Sequence, residues 1–189
     1  GAVARAKADG YNLLISYSAY HVGNPALSPS LPWEAKDFAP VALLTVATNV
    51  IAVHPSVPGN NLKEFIAYVK ANPGKVNYAS QGNGSLSHIG TEIFKQQSGT
   101  FMTHIPYRGT GPALNDVLAG RIQLFSAGTP ALLPHIKSGA LRCLATGTTE
   151  RIPVLPDVPT VAESGLKDFE TVQWYGITAR NGTPVEIIN

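Results

Sequence analysis

Cysteine is almost absent from this chain. The single one, Cys143, stands in the apolar run Leu141-Arg142-Cys143-Leu144-Ala145, so there is no internal disulfide framework and no thiol set for a metal. Charge is scarce as well: 14 Lys+Arg against 12 Asp+Glu leave a formal net charge of +2. With no Lys/Arg cluster to make a local patch, nothing points to nucleic acid as a partner. No apolar run approaches the ~20 residues that span a bilayer, and no basic stretch followed by an apolar core marks a secretion signal within these residues. The five histidines, His21, His54, His88, His104 and His135, have no ligand-type spacing, so neither a metal nor another cofactor is expected. What is present is the 44% apolar content of an ordinary globular chain, 189 residues long, enough to bury one large domain or two small ones.

The two ends read as cut. Residues 1–10 look like the last turns of a helix stopped by Asp9-Gly10. Thr183 and Pro184 look like the N-cap and first position of a helix that has barely begun at Asn189. Between them, apolar strands are expected at 11–18, 41–46 and 49–54, with an irregular stretch from Ser28 to Pro40 imposed by Pro29, Pro32 and Pro40. An amphipathic stripe at 62, 65, 66 and 69 predicts a helix over 62–71, ended by Asn72-Pro73-Gly74. A regular alternation follows: strand 76–79, helix 86–97; strand 101–106, helix 112–119; strand 122–126, helix 130–138; strand 141–146. A last apolar run covers 172–179. Strand–helix alternation implies a mainly parallel α/β sheet covered on both faces, with ligands beyond the carboxyl ends of its strands.

Three loops rich in glycine and hydroxyls fall at that edge: 80–85, 107–111 and 127–129. The first, Ser80-Gln81-Gly82-Asn83-Gly84-Ser85, carries the strongest signal. Its glycines permit a tight turn and a close backbone approach, and its hydroxyls and amide precede the unpaired N–H groups of a helix start. Donors and a positive helix end together make a seat for an anion. The loop lacks a P-loop lysine, and Gly82-Asn83-Gly84 is followed by Ser87 where a dinucleotide fingerprint has its third glycine. No nucleophile–base pair accompanies it in the sequence, so binding without catalysis is expected. Arg108 in the second loop can clamp a carboxylate bidentately or merely pack its loop. Cys143 reads as a small strand residue.

Further runs carry a resemblance. Ala8-Asp9-Gly10-Tyr11, Asn24-Pro25-Ala26-Leu27, Asp37-Phe38-Ala39-Pro40-Val41, Asn77-Tyr78-Ala79-Ser80, Pro106-Tyr107-Arg108-Gly109, Gly111-Pro112-Ala113-Leu114, Pro134-His135-Ile136-Lys137-Ser138-Gly139 and 155–163 succeed one another in the order and spacing of one family. The chain resembles, from end to end, the periplasmic solute-binding proteins of tripartite tricarboxylate transporters, the Bug or tricarboxylate-receptor family. The resemblance implies a flytrap of two α/β lobes with a ligand cleft between them and a periplasmic location. Lobe one would take 1–46 and 170–189, and lobe two 47–169, with hinges near 47–50 and 168–174. It further implies capture of a small organic carboxylate (dicarboxylate, tricarboxylate or aromatic acid), delivery to membrane transporter subunits, and a monomer that is no enzyme. A sensor feeding a signalling partner, or a hydrolase using the 80–88 loop as an oxyanion site, are the alternatives. In the family the strand-end loop with Ser18, Ala19 and His21 faces the cleft, and a carboxylate-clamp loop lies upstream of Gly1. Relatives often carry Asp-Asn where this chain has Ala127-Gly128, which removes a natural partner for an ammonium group.

Overall fold

The structure is a computed structural model and describes residues 1–28 and 30–189. The chain divides into two compact units, one of residues 1–46 with 173–189, the other of residues 47–172.

The first unit begins with a 3-10 turn at Val3–Arg5 and the strand β1 (Leu13–Tyr17), which pairs antiparallel with β7 (Val172–Arg180). The loop expected after β1 is helical instead: a π-helical stretch, Ala19–Gly23, continues into α1 (Asn24–Leu27). Pro25 sits in the first turn of α1, where its missing N–H would be unpaired anyway. The stretch read as irregular up to Pro40 also has structure. A 3-10 turn spans Ala35–Asp37, capped reciprocally by Glu34 and Asp37, and the strand β2 (Phe38–Val53) starts directly after it. Pro40 lies inside that strand at an exposed position, the kind of place where a strand loses little by lacking a donor; Pro29 falls outside the described residues. The two apolar runs 41–46 and 49–54 are therefore one strand. At the far end Pro184, not Thr183, is the N-cap position of the last helix, α6 (Val185–Ile188), and the Thr183 hydroxyl donates to the Arg180 carbonyl.

The second unit is a five-stranded sheet. The end of β2 lies between β6 (Arg142–Thr146) and β5 (Leu124–Gly128), and β3 (Asn77–Ser80) and β4 (Thr103–Pro106) follow beyond β5. β3 runs parallel to β4 and β5, and β2 runs antiparallel to β5 and β6. Four strands thus share a direction, and β2 is the reversed one.

Both faces are buried, which is why β2 reads as an unbroken apolar run from Val50 to Val53. Ile51, Val53, Tyr78 and Leu124 point to one side, where α2 (Leu62–Ala71) and α3 (Leu86–Ser98) supply Leu62, Phe65, Val69 and Phe94. Val50, Ala52, Ala79, Phe125 and Ala127 point to the other, against Ala113 and Val117 of α4 (Thr110–Leu118) and Leu132 of α5 (Thr129–Lys137). Period-2 alternation on a sheet covered on both faces buries every position. α2 starts where Asn61 takes the Glu64 N–H at 2.9 Å while the Glu64 carboxylate takes the Asn60 N–H at 2.8 Å. α3 ends at Gly99, whose φ of 64° is left-handed.

Candidate anion-binding site

Because β3, β4 and β5 are parallel, their carboxyl ends lie side by side, and each feeds a helix directly. The N-termini of α3, α4 and α5 consequently open on one rim of the second unit, each presenting a partial positive charge. Hydrogen bonds tie the first two loops together: Tyr107 N–H to the Ser80 carbonyl (3.0 Å), Gly109 N–H to the Gln81 carbonyl (3.2 Å), and the Gln81 side-chain amide to Thr110 Oγ1 (2.7 Å). The third is tied to β2 by Thr129 Oγ1, which donates to the Thr48 carbonyl.

Within 80–85 most donors are consumed by the loop itself. Gln81 N–H goes to Ser87 Oγ, Gly82 N–H to Ser80 Oγ, Ser85 N–H to the Gly82 carbonyl, and Gly84 N–H to Nδ1 of His88 at 3.2 Å. Ser85 caps α3, accepting from His88 N–H, and its hydroxyl donates to the Gly82 carbonyl at 2.6 Å. Among the described residues the N–H groups of Asn83, Leu86 and Ser87 donate to no protein group. Gly82 and Gly84 have φ of 129° and 78°, a region closed to most side chains, so the loop's shape depends on those two positions. Asn83, between them, is exposed.

Two imidazoles stand behind the loop. His104 Nε2 lies 2.6 Å from Ser80 Oγ, and the rings of His88 and His104 stack at 4.1 Å and 13°. The Tyr78 ring stacks on the other side of His104, and its hydroxyl donates to Glu92, which also pairs with Lys95. Burial pushes Glu92 up, but the hydrogen bonds from Lys95 and Tyr78 outweigh it and hold the carboxyl below its usual range. Burial, with the His88 charge next, holds the His104 imidazole down at about 4. The sequence offered no reason to join His104 to Ser80. The signal lay in the register, which sets Tyr78 opposite His104 and Ser80 opposite Pro106. Ser80 and His104 form a hydroxyl–imidazole contact, yet Ser80 is wholly buried and its oxygen is engaged by Gly82, which leaves no attack path.

The other expected site residues are placed as follows. Arg108 is exposed and makes no ion pair among the described residues. Ala127 and Gly128 belong to β5 rather than to a loop. The Ala127 methyl is buried against the α4/α5 side, and Gly128 is the N-cap of α5. Ser18, Ala19 and His21 belong to the first unit. There His21 Nε2 lies 2.7 Å from Ser16 Oγ, its ring stacks on Trp174, and burial lowers its affinity for a proton. His21, Phe38 and Trp174 also line an apolar cavity of about 310 Å³ within that unit. In the second unit Asn49, opposite Gly128 on β2, is buried with neither side-chain amide atom partnered. Cys143 is a part-buried strand thiol pushed up to about 12 by burial.

A covered α/β sheet that sends helix N-termini and unpaired amides to one rim is the plan of the periplasmic binding proteins, and that is the fold of this chain. All of it, residues 1–189, matches the tripartite tricarboxylate transporter family receptor, TctC, and the chain belongs to that family. It is 38% identical to Protein BugT of Bordetella pertussis over 189 residues, covering 99% of this chain and 58% of BugT. Among solved structures, R. palustris Rpa4515 with adipate superposes with a TM-score of 0.95 at 34% identity, over 99% of this chain and 63% of that one. The periplasmic binding protein BugD gives 0.92 at 35% identity, over 98% and 62%. MatC from Rhodopseudomonas palustris with bound malate gives 0.91 at 32% identity, over 99% and 64%. The chain thus spans 58% of the length of BugT.

Proposed function

We propose that these residues belong to an extracytoplasmic receptor that captures a small organic carboxylate and hands it to the membrane subunits of a tripartite transporter. The carrying observation is the rim of the second unit, with three helix N-termini and the unpartnered, accessible N–H groups of Asn83 and Leu86; the Ser87 N–H is wholly buried. Ser80, Gln81, Gly82, Gly84 and Ser85 shape that seat, and Arg108, on the same rim, makes no ion pair among the described residues. Adipate in Rpa4515 and malate in MatC support a dicarboxylate. Hydrogen bonds to a charged group contribute about 1.5–3 kcal/mol each. The bound acid leaves unchanged, because Ser80 is sealed in and no acid orients His104 as a base. The receptor acts as a monomer on this reading, and its place is the periplasm.

Calorimetric titration of the full-length protein with adipate and malate, and with their diamides, tests the proposal. Micromolar binding of an acid, none of its diamide and unchanged ligand afterwards are expected. Equal binding of acid and diamide, or turnover of an ester or amide that is lost in Ser80→Ala, overturns it.

A further inference from the structure

Two atoms fix the 80–85 loop from behind, and both are held by one imidazole pair. Gly84 gives its N–H to Nδ1 of His88, and Ser80 Oγ meets Nε2 of His104 at 2.6 Å while also taking the Gly82 N–H. The rings lie 4.1 Å apart and 13° from parallel. We propose that His88 and His104 are the positioning residues of this loop. As a neutral stack they hold Gly84 and Ser80 in the shape that leaves the Asn83 and Leu86 N–H groups free for a carboxylate, and a proton on Nδ1 of His88 releases Gly84.

The chemistry fixes the direction of the effect. A neutral His88 whose Nδ1 accepts carries its proton on Nε2. Once Nδ1 is protonated, two donors face each other across the Gly84 contact and the hydrogen bond is lost. Protonated His104 must donate from Nε2, which turns the Ser80 hydroxyl onto the Gly82 carbonyl alone. A charge on one ring also opposes a charge on the other at stacking distance. The titratable groups around the pair are Glu92 and Lys95 on α3 and Tyr78 on β3. Glu92, engaged by Lys95 and by the Tyr78 hydroxyl, still favours a charge on His104, an effect that burial outweighs. Burial, the largest cause holding His104 at about 4, agrees with a mount in which that ring works uncharged.

The effect on binding rests on the loop being a carboxylate seat, as proposed above; the mount itself does not, and the test separates the two. In a first arm without ligand, the ring nitrogens of His88 and His104 and the Gly84 and Ser80 amides of the full-length protein are followed by NMR from about pH 7.5 to about pH 5. An unprotonated Nδ1 on His88 at the upper end is expected, with the Gly84 amide shifting as that nitrogen takes up a proton and the Ser80 amide steady. A His88 ring that titrates without moving the Gly84 amide, or one with its proton on Nδ1 at the upper end, overturns the mount.

In the second arm adipate and malate are titrated calorimetrically over the same range. The natural sequence is expected to lose about tenfold in affinity toward the acid end, and His88→Ala to bind about tenfold more weakly at the neutral end. His88→Asn places an amide oxygen where Nδ1 stood, one that takes no proton. It is expected to recover to within about threefold and to bind with a flat pH profile. A His88→Asn profile that follows the natural one, or His88→Ala at natural affinity, overturns the inference. Failure of the natural sequence to bind either acid overturns the receptor reading instead, and the first arm still decides the mount.

Discussion

Gly84 shows how one residue sets the chemistry of the rim. It sits at φ 78° with its N–H on His88, so a side chain there meets backbone strain and also risks the contact that anchors the loop. Gly84→Val is expected to weaken carboxylate binding by tenfold or more, about 1.4 kcal/mol, while the sheet and its unfolding transition persist. Calorimetry with adipate alongside thermal melts checks this, and unchanged affinity removes the loop from the site. The glycine pattern announced this loop in the sequence, and the free donors at its mouth followed from the helix start that Ser85 caps. What stayed hidden was the partner behind it. His88 follows Gly84 by one helical turn, but His104 reaches Ser80 only through the β3–β4 register, and pairing between strands is not written in local spacing. Ala127 misled for a related reason: a small residue at a strand end looks like loop, yet β5 runs on to Gly128 and turns the methyl into the core.

Among the elements, those with a local start and stop were legible. The expected helix at 62–71 is α2, Leu62–Ala71, and the one at 86–97 is α3, Leu86–Ser98, because Asn61, Ser85, Gly99 and the apolar stripes act within one turn of the residues they govern. The runs 41–46 and 49–54 leave a break at 47–48, where Thr48 interrupts the apolar pattern of β2; only pairing with neighbours carries a strand through such a residue. The π-helical stretch after β1 had no signal of its own, as Ser18, Tyr20 and His21 are weaker helix formers than Ala19 between them. The cap of α2 gives an element-scale test. Asn61 accepts the Glu64 N–H and its own amide donates to Glu64 Oε1 at 2.8 Å. Asn61→Ala is expected to cost about 1 kcal/mol in chemical unfolding, whereas Asn61→Asp, which keeps the acceptor but faces the Glu64 carboxylate, should recover only part of it. No loss of stability in the alanine variant would mean that packing of Leu62, Phe65 and Val69 alone holds the helix start.

At the scale of the whole molecule, the charges of the rim favour one class of ligand over another. The loops 80–85, 107–111 and 127–129 contain no acidic residue, and their one charged side chain is Arg108. Helix N-termini add partial positive charge of the same sign. A carboxylate is welcome at such a rim, but an ammonium group enclosed there finds no carboxylate in these three loops to offset its lost hydration, a penalty of several kcal/mol when unpaired. The full-length protein is therefore expected to bind succinate more tightly than aspartate, and glutarate more tightly than glutamate, by at least about tenfold in each pair. Paired titrations at neutral pH provide the measurement, with low salt to keep the rim's charge unscreened. Removing the guanidinium with Arg108→Gln should weaken the diacids while narrowing the gap within each pair, because the rim then repels an ammonium less. Tighter binding of the amino acids in both pairs would place an acidic acceptor elsewhere in the protein and end the argument from this rim.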